Sequence, residues 1–137
     1  VIVHSSAVVA ILRAEPEALV SAQAIEAAES RRMSAVSFVE TAAVIDGSRD
    51  PVASRRLDEF LREAGIAIEP VTEVQARAAR QAYRDFGKGS GHPARLNFGD
   101  CFAYALAIVS GEKLLYKGDA FGHTGIAGVR VDGAAVS

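Results

Sequence analysis

The sequence predicts an α/β fold built on a parallel sheet, and three observations carry that expectation. Short aliphatic runs alternate with longer helix-patterned segments along all 137 residues, as strand–helix–strand crossovers require. The first run, Val1-Ile2-Val3, is β-branched and unbroken by polar residues, and strands alternating with helices of these lengths indicate a sheet covered on both faces. No stretch has the composition of an interdomain linker and no repeat is visible, so residues 1–137 are expected to form a single domain long enough for a substantial core.

Each element has a local reason. Residues 1–3, Val-Ile-Val, read as a buried strand, and Ser5 or Ser6 is expected to cap the helix that Ala7 to Leu12 continue. Pro16 is placed to begin a helix over residues 16–29, since its missing N–H costs nothing in a first turn. Residues 32–36 read as a second strand. Ser37, with Glu40 three residues on, has the pattern of a capping box for a helix that Gly47 ends. Pro51 opens another helix, in which Leu57, Phe60, Leu61 and Ala64 recur at helical spacing up to Gly65, and residues 66–69 form the next strand. Residues 72–86 are an Ala- and Arg-rich helix followed by GKGSGHPAR, expected to be a flexible loop. Asn97 restarts regular structure with the apolar helix 98–109, and residues 113–116 and 128–131 complete the strands.

Composition narrows the function classes. The formal net charge of −2 gives no overall nucleic-acid signature, so any RNA or DNA contact must come from a local cluster such as Arg84, Lys88 and Arg95 around the glycine-rich loop. That loop lacks the strand-then-helix spacing of a nucleotide-binding fingerprint. A single cysteine, Cys101, precludes an intrachain disulfide and suits a reducing compartment. The apolar start is too short for a signal peptide or membrane span, which makes the cytoplasm the expected location.

Four polar residues fall where strands end or helices begin, the edge at which open α/β sheets bind ligands. His4 closes the first strand. Glu40 shares a helix face with Val36, Ala43, Val44 and Gly47, and Asp100 shares one with Ala103, Tyr104 and Ala107, so both carboxylates are expected to look inward from a first turn. Asp119 follows the strand KLLYK through Gly118. A carboxylate turned inward is costly unless paired, hydrogen-bonded or bound to a cation, and clustered carboxylates suit the hard ions Mg²⁺ and Mn²⁺. Each residue also has a bland explanation: a cap for Glu40 and Asp100, a turn for Asp119, a solvated loop for His4.

The segments VIVHSSAVVAILRAEPEA, SAVSFVETAAVI, YRDFGKGSGHPARLNFGDCFAYALA and LLYKGDAFGHTGI resemble, in order and spacing, the PIN-domain ribonuclease toxins of VapC type. The resemblance spans essentially the whole chain, and NFGDCFAYALA with the preceding FGKG is its most specific part. It implies a five-stranded parallel sheet flanked by helices on both faces and an acid cluster binding Mg²⁺ or Mn²⁺. It also implies endonucleolytic cleavage of RNA, usually tRNA or rRNA, and inhibition by a cognate VapB-like antitoxin. Glu40 and Asp100 match the family's second and third acids, and Ser6 matches the hydroxyl beside the first. Asp119 is expected to assist, His4 to reach the metal, and Asn97 and Thr124 to support the site.

Two departures stand out. His4 occupies the position of the family's first metal-binding aspartate. In KGDAF the usual acid has become Ala120, while Asp119 stands one place earlier. A catalytically inactive module that binds antitoxin and RNA without cleaving is therefore the alternative. A receiver-type signalling domain, which also carries acids on a parallel sheet, fits the NFGDCFAYALA segment less well. The resemblance and the Ala-rich segments 76–83 and 102–109 together suggest a homodimer, and the acids predict an antitoxin that inserts a basic side chain among Glu40, Asp100 and Asp119.

Overall fold

The computed structural model describes residues 1–132. Five strands, β1 (Ile2–Val3), β2 (Arg32–Ser34), β3 (Ala67–Glu69), β4 (Leu114–Tyr116) and β5 (Gly128–Arg130), form one parallel sheet in the order β3-β2-β1-β4-β5. Six helices cover it: α1 (Ser5–Leu12), α2 (Ala18–Ala27), α3 (Ala35–Asp46), α4 (Pro51–Glu63), α5 (Glu73–Phe86) and α6 (Phe98–Ser110).

Strand alternation divides the core into two layers. Ile2, Leu114 and Tyr116 pack with Ala79 and Ala82 of α5 and with Ala103, Leu106 and Ala107 of α6 on one face. Val3, Met33 and Leu115 pack with Ala7, Val8, Ile25, Ile45, Leu57 and Leu61 from α1 to α4 on the other. Ile2, Val3, Leu114 and Leu115 are fully buried, which is why these strands carry no polar residue. Strand order reverses between β1 and β4, the switch point at whose carboxyl edge open α/β sheets bind ligands.

The structure revises several local expectations. His4, not a serine, is the N-cap of α1, and its ring accepts a hydrogen bond from the Ser6 N–H. The second strand stops at Ser34, which caps α3 by accepting from the Val36 N–H. Ser37 therefore lies inside the helix, fully buried, and the Ser37–Glu40 capping box does not form. The buried stripe of α3 is Ser37, Thr41 and Ile45 rather than Val36, Ala43 and Val44, the last two being exposed. Thr41 buries cheaply because the Ser37 carbonyl takes its proton, the Ser37 hydroxyl is buried without a partner, and hydropathy flags neither. The second helix begins at Ala18, after Glu17, and not at Pro16.

The glycine-rich loop is also better anchored than its composition suggests. Gly87 and Leu96 form a parallel bridge, Lys88 N–H donates to the Leu96 carbonyl at 3.0 Å, and Leu96 N–H donates to the Phe86 carbonyl at 2.9 Å. Ala94 and Leu96 are buried beneath it.

Candidate active site at the carboxyl edge of the sheet

The chain leaves β1 straight into α1, so His4 is fixed twice: its N–H donates to the Leu115 carbonyl and its ring caps the helix. The Ser6 backbone N–H donates to His4 Nδ1 at 3.1 Å, which makes Nδ1 the lone-pair nitrogen and leaves the proton on Nε2. Nε2–H then donates to Asp100 Oδ1 at 2.9 Å. The Ser6 hydroxyl lies 2.7 Å from Nδ1 and accepts from the Lys117 N–H at 2.9 Å, so its own proton points to the ring. Phe121 closes one side, edge-on to the imidazole with centroids 5.0 Å apart. The residue is 8 % exposed, and its ring has a hydrogen-bond partner at each nitrogen.

Asp100 is held equally firmly. It forms the reciprocal capping box of α6 with Asn97: the Asn97 side chain accepts from the Asp100 N–H at 2.8 Å, and Asp100 Oδ2 accepts from the Asn97 N–H at 3.0 Å. The capping reading of this aspartate is realised through Oδ2, while Oδ1 faces His4.

Glu40 reaches the same place from the middle of α3. A Cβ built on Gly99 would fall 1.9 Å from Glu40 Oε2, so the carboxylate fills the space left by the missing side chain in the first turn of α6. Glu40 Oε1 is buried without a hydrogen-bond partner. Burial pushes the Glu40 carboxyl above the ordinary glutamate value; the His4 ring opposes that shift and the nearby Asp100 charge adds to it.

His4, Ser6, Glu40, Asn97 and Asp100 therefore converge. Asp119 does not join them: its side chain is 79 % exposed and its nearest basic group is His123, 4.0 Å away. Ala120 packs against the core instead. Thr124 also stands apart, its hydroxyl donating to the Phe121 carbonyl within the short 3₁₀ turn Phe121–His123 and its C-cap. His4 offers no free lone pair to the pocket, since Nε2 carries the proton given to Asp100. Among the described residues, no group of three or more His, Cys, Asp or Glu side chains is gathered to hold a metal ion. Arg84, Lys88 and Arg95 are all exposed, and none is in a salt bridge among the described residues.

Sequence reasoning missed four contributors. Gly99 makes room for Glu40, Phe121 packs on His4, and Lys117 supplies the backbone N–H to Ser6. Asp132 accepts from the Gly118 N–H at 2.8 Å and from Arg130, pinning the turn after β4. Only Gly99 left a signal, as a glycine in the first turn of an otherwise strongly apolar helix, where propensity disfavours it.

Comparison with known proteins places this edge in context. The PIN domain model matches residues 1–127. The chain is 59% identical over 125 residues to VapC ribonuclease Mb0625 of Mycobacterium bovis and to ribonuclease VapC28 of Mycobacterium tuberculosis, covering 91% of this chain and 94% of each relative. Ribonuclease VapC42 of Mycobacterium tuberculosis is 51% identical over the same share of this chain and 95% of its own. Among solved structures, Mycobacterium tuberculosis VapC20, described as a sarcin-ricin loop cleaving toxin, superposes with a TM-score of 0.72 at 16% identity, covering 94% of this chain and 98% of that one. A toxin–antitoxin complex from Klebsiella pneumoniae superposes with a TM-score of 0.64 at 16% identity over 86% of each chain.

Proposed function

For a chain that belongs to the PIN-domain family, among its VapC-type ribonuclease toxins, we propose that the carboxyl edge of the sheet is an endoribonuclease site in which Glu40 and Asp100 are the acting carboxylates. The observation that carries the reading is the meeting of these two acids from separate helices, one of them with a buried oxygen that no protein group satisfies. Glu40 Oε1 differs from the other buried oxygens without a partner, Ser21 and Ser37 Oγ and Gln75 Oε1, in lying beside a second carboxylate.

That orphan oxygen is also what fits a divalent cation. Mg²⁺ and Mn²⁺ accept one or two carboxylates, keep several waters and complete their shell with substrate phosphate, so Glu40 and Asp100 are the residues that would hold one beside a phosphate of the RNA. When bound, the ion supplies Lewis acidity at the phosphodiester and a more acidic water. The chain's own groups do the positioning. His4 and Asn97 fix the two oxygens of Asp100, Ser6 fixes His4, and Gly99 admits Glu40 to the first turn of α6. Arg84, Lys88 and Arg95 supply exposed charge for the RNA backbone, with tRNA or rRNA as the substrate class.

The remaining assignments follow from the same reading. One domain, acting in the cytoplasm, is neutralised by a VapB-like antitoxin that places a basic side chain against Glu40 and Asp100. Among the described residues, no helix is long and apolar enough to cross a membrane. Homodimerisation uses the face that α5 and α6 leave uncovered. Ala79 and Ala82 are spent on packing within the chain, whereas Val74, Tyr83 and Phe98 are exposed beside a cleft lined by Ala76, Arg80 and Phe102.

A second reading, binding without cleavage, is favoured by one specific feature: His4 and Ala120 stand at two acid positions, and the His4 hydrogen bond occupies Asp100 Oδ1. Incubation of the purified chain with RNA and Mn²⁺ separates the two. Cleavage that EDTA abolishes and Glu40→Ala removes supports the enzyme; intact RNA with unimpaired RNA binding supports the binder.

A further inference from the structure

We infer that in the free protein His4 takes the place of a resident divalent cation, and that the ion joins Glu40 and Asp100 only together with a phosphate of bound RNA. The inference rests on the RNA-cleaving reading above and specifies how its cation is held. Both Asp100 oxygens already have donors, His4 Nε2–H on Oδ1 and the Asn97 N–H on Oδ2. His4 cannot readily turn away, because Ser6 engages Nδ1 and Phe121 lies against the ring. No further ligand comes from the turn after β4, since Asp119 points to solvent and residue 120 is alanine. Glu40 is then the one carboxylate of the pair with an oxygen free of donors, its Oε1 being buried without a hydrogen-bond partner. A hard ion gains too little from a single carboxylate oxygen to shed its water, but a phosphate on the same ion supplies the missing anionic oxygens. Cation and RNA must then tighten each other by the same factor, as linkage requires.

Calorimetric titration of Mg²⁺ and Mn²⁺ into the free chain, combined with the anisotropy of a labelled single-stranded RNA decamer in EDTA or Mn²⁺, tests this. The wild type alone should bind neither ion below about 1 mM, and its RNA affinity should rise at least about tenfold in Mn²⁺, a gain that Glu40→Gln removes. His4→Asp should bind one ion without RNA, in the micromolar range, and its folding is verified by circular dichroism with and without Mn²⁺. His4→Asn, which keeps a donor for Asp100, should stay as ion-free as the wild type and guards against misfolding of the aspartate variant. One micromolar ion on the free wild type that Glu40→Gln abolishes overturns the inference, as does equal RNA affinity in EDTA and Mn²⁺. Absence of RNA binding in both buffers overturns the RNA reading itself, and the two ion titrations then still decide the role of His4.

Discussion

Gly99→Ala disturbs the site without touching any acid in it. A methyl group at Gly99 would stand 1.9 Å from Glu40 Oε2, 2.1 Å from Cδ and 2.3 Å from Oε1. Ordinary contact begins near 3.4 Å, so the carboxylate must retreat by about 1.5 Å. Because the displaced group is the far end of a flexible side chain, the helices need not move. Alanine is also the better helix former by up to about 1 kcal/mol, and releasing Glu40 toward water relieves its burial, so stability should hold or rise. Misplacing a reacting group by about 1 Å typically costs about 100-fold in rate, or roughly 2.7 kcal/mol of barrier. Single-turnover RNA cleavage in Mn²⁺, run in the wild type and, for a larger signal, in His4→Asp, should therefore fall about 100-fold at an unchanged or higher Tm. Cleavage within about threefold of the parent would refute the placement of Glu40 at the reacting centre, and a stability loss above about 2 kcal/mol would make Gly99 a packing residue instead.

Three further outcomes follow from the same geometry. Glu40→Gln removes a buried, unpartnered charge and should raise stability by about 1 kcal/mol while abolishing cleavage; a lower denaturation midpoint would show that the carboxylate is already satisfied. His4→Asp should raise Mg²⁺-dependent cleavage by at least about tenfold, measured as an initial rate, because it returns a hard oxygen ligand in place of an N–H donor; an unchanged rate directs attention to Ala120, and His4→Asp with Ala120→Asp is then the active form. The Arg32 guanidinium holds the Glu112 carboxyl down, from the ordinary value of 4.5 to about 2. A depressed carboxylate adds stability above its unfolded pKa and loses it as pH falls through the folded one, so this pair should contribute about 1–2 kcal/mol above pH 4.5 that disappears toward pH 2 once solvent screening is allowed for. Glu112→Gln should flatten that part of the acid-unfolding profile, and an unaltered profile would contradict the pairing.

How much of this was legible in the sequence depends on whether the deciding contact is local. Asn97 and Asp100 were readable because a capping box is a pattern within four residues just before an apolar run, and the structure forms it. SAVSFVE offers two serines as caps one turn apart, and Ser34 wins because the β2 ladder with β3 extends to that residue and no further. Glu40 faces inward as its sequence position predicts, yet Ala43 and Val44 on the predicted inner face are exposed; what draws it in is the gap at Gly99, far along the chain, which no local pattern reveals. His4 could be placed at the end of β1, but its cap to Ser6 and its hydrogen bond to Asp100 depend on how α6 docks. Asp119 shows the opposite failure: the edge was right, but a turn residue's side-chain direction is set by tertiary packing, and here it points outward.

The most direct test of the central claim is the chemistry of the cut ends. RNA incubated with the purified chain and Mn²⁺ should yield fragments bearing 5′-phosphate and 3′-hydroxyl groups, as water activated beside Glu40 and Asp100 requires, and Asp100→Asn should yield none. Fragments ending in a 2′,3′-cyclic phosphate, or an undiminished yield from Asp100→Asn, would contradict the account, since the first needs an internal 2′-hydroxyl nucleophile and the second shows that the carboxylates at the sheet edge are not the site of cleavage.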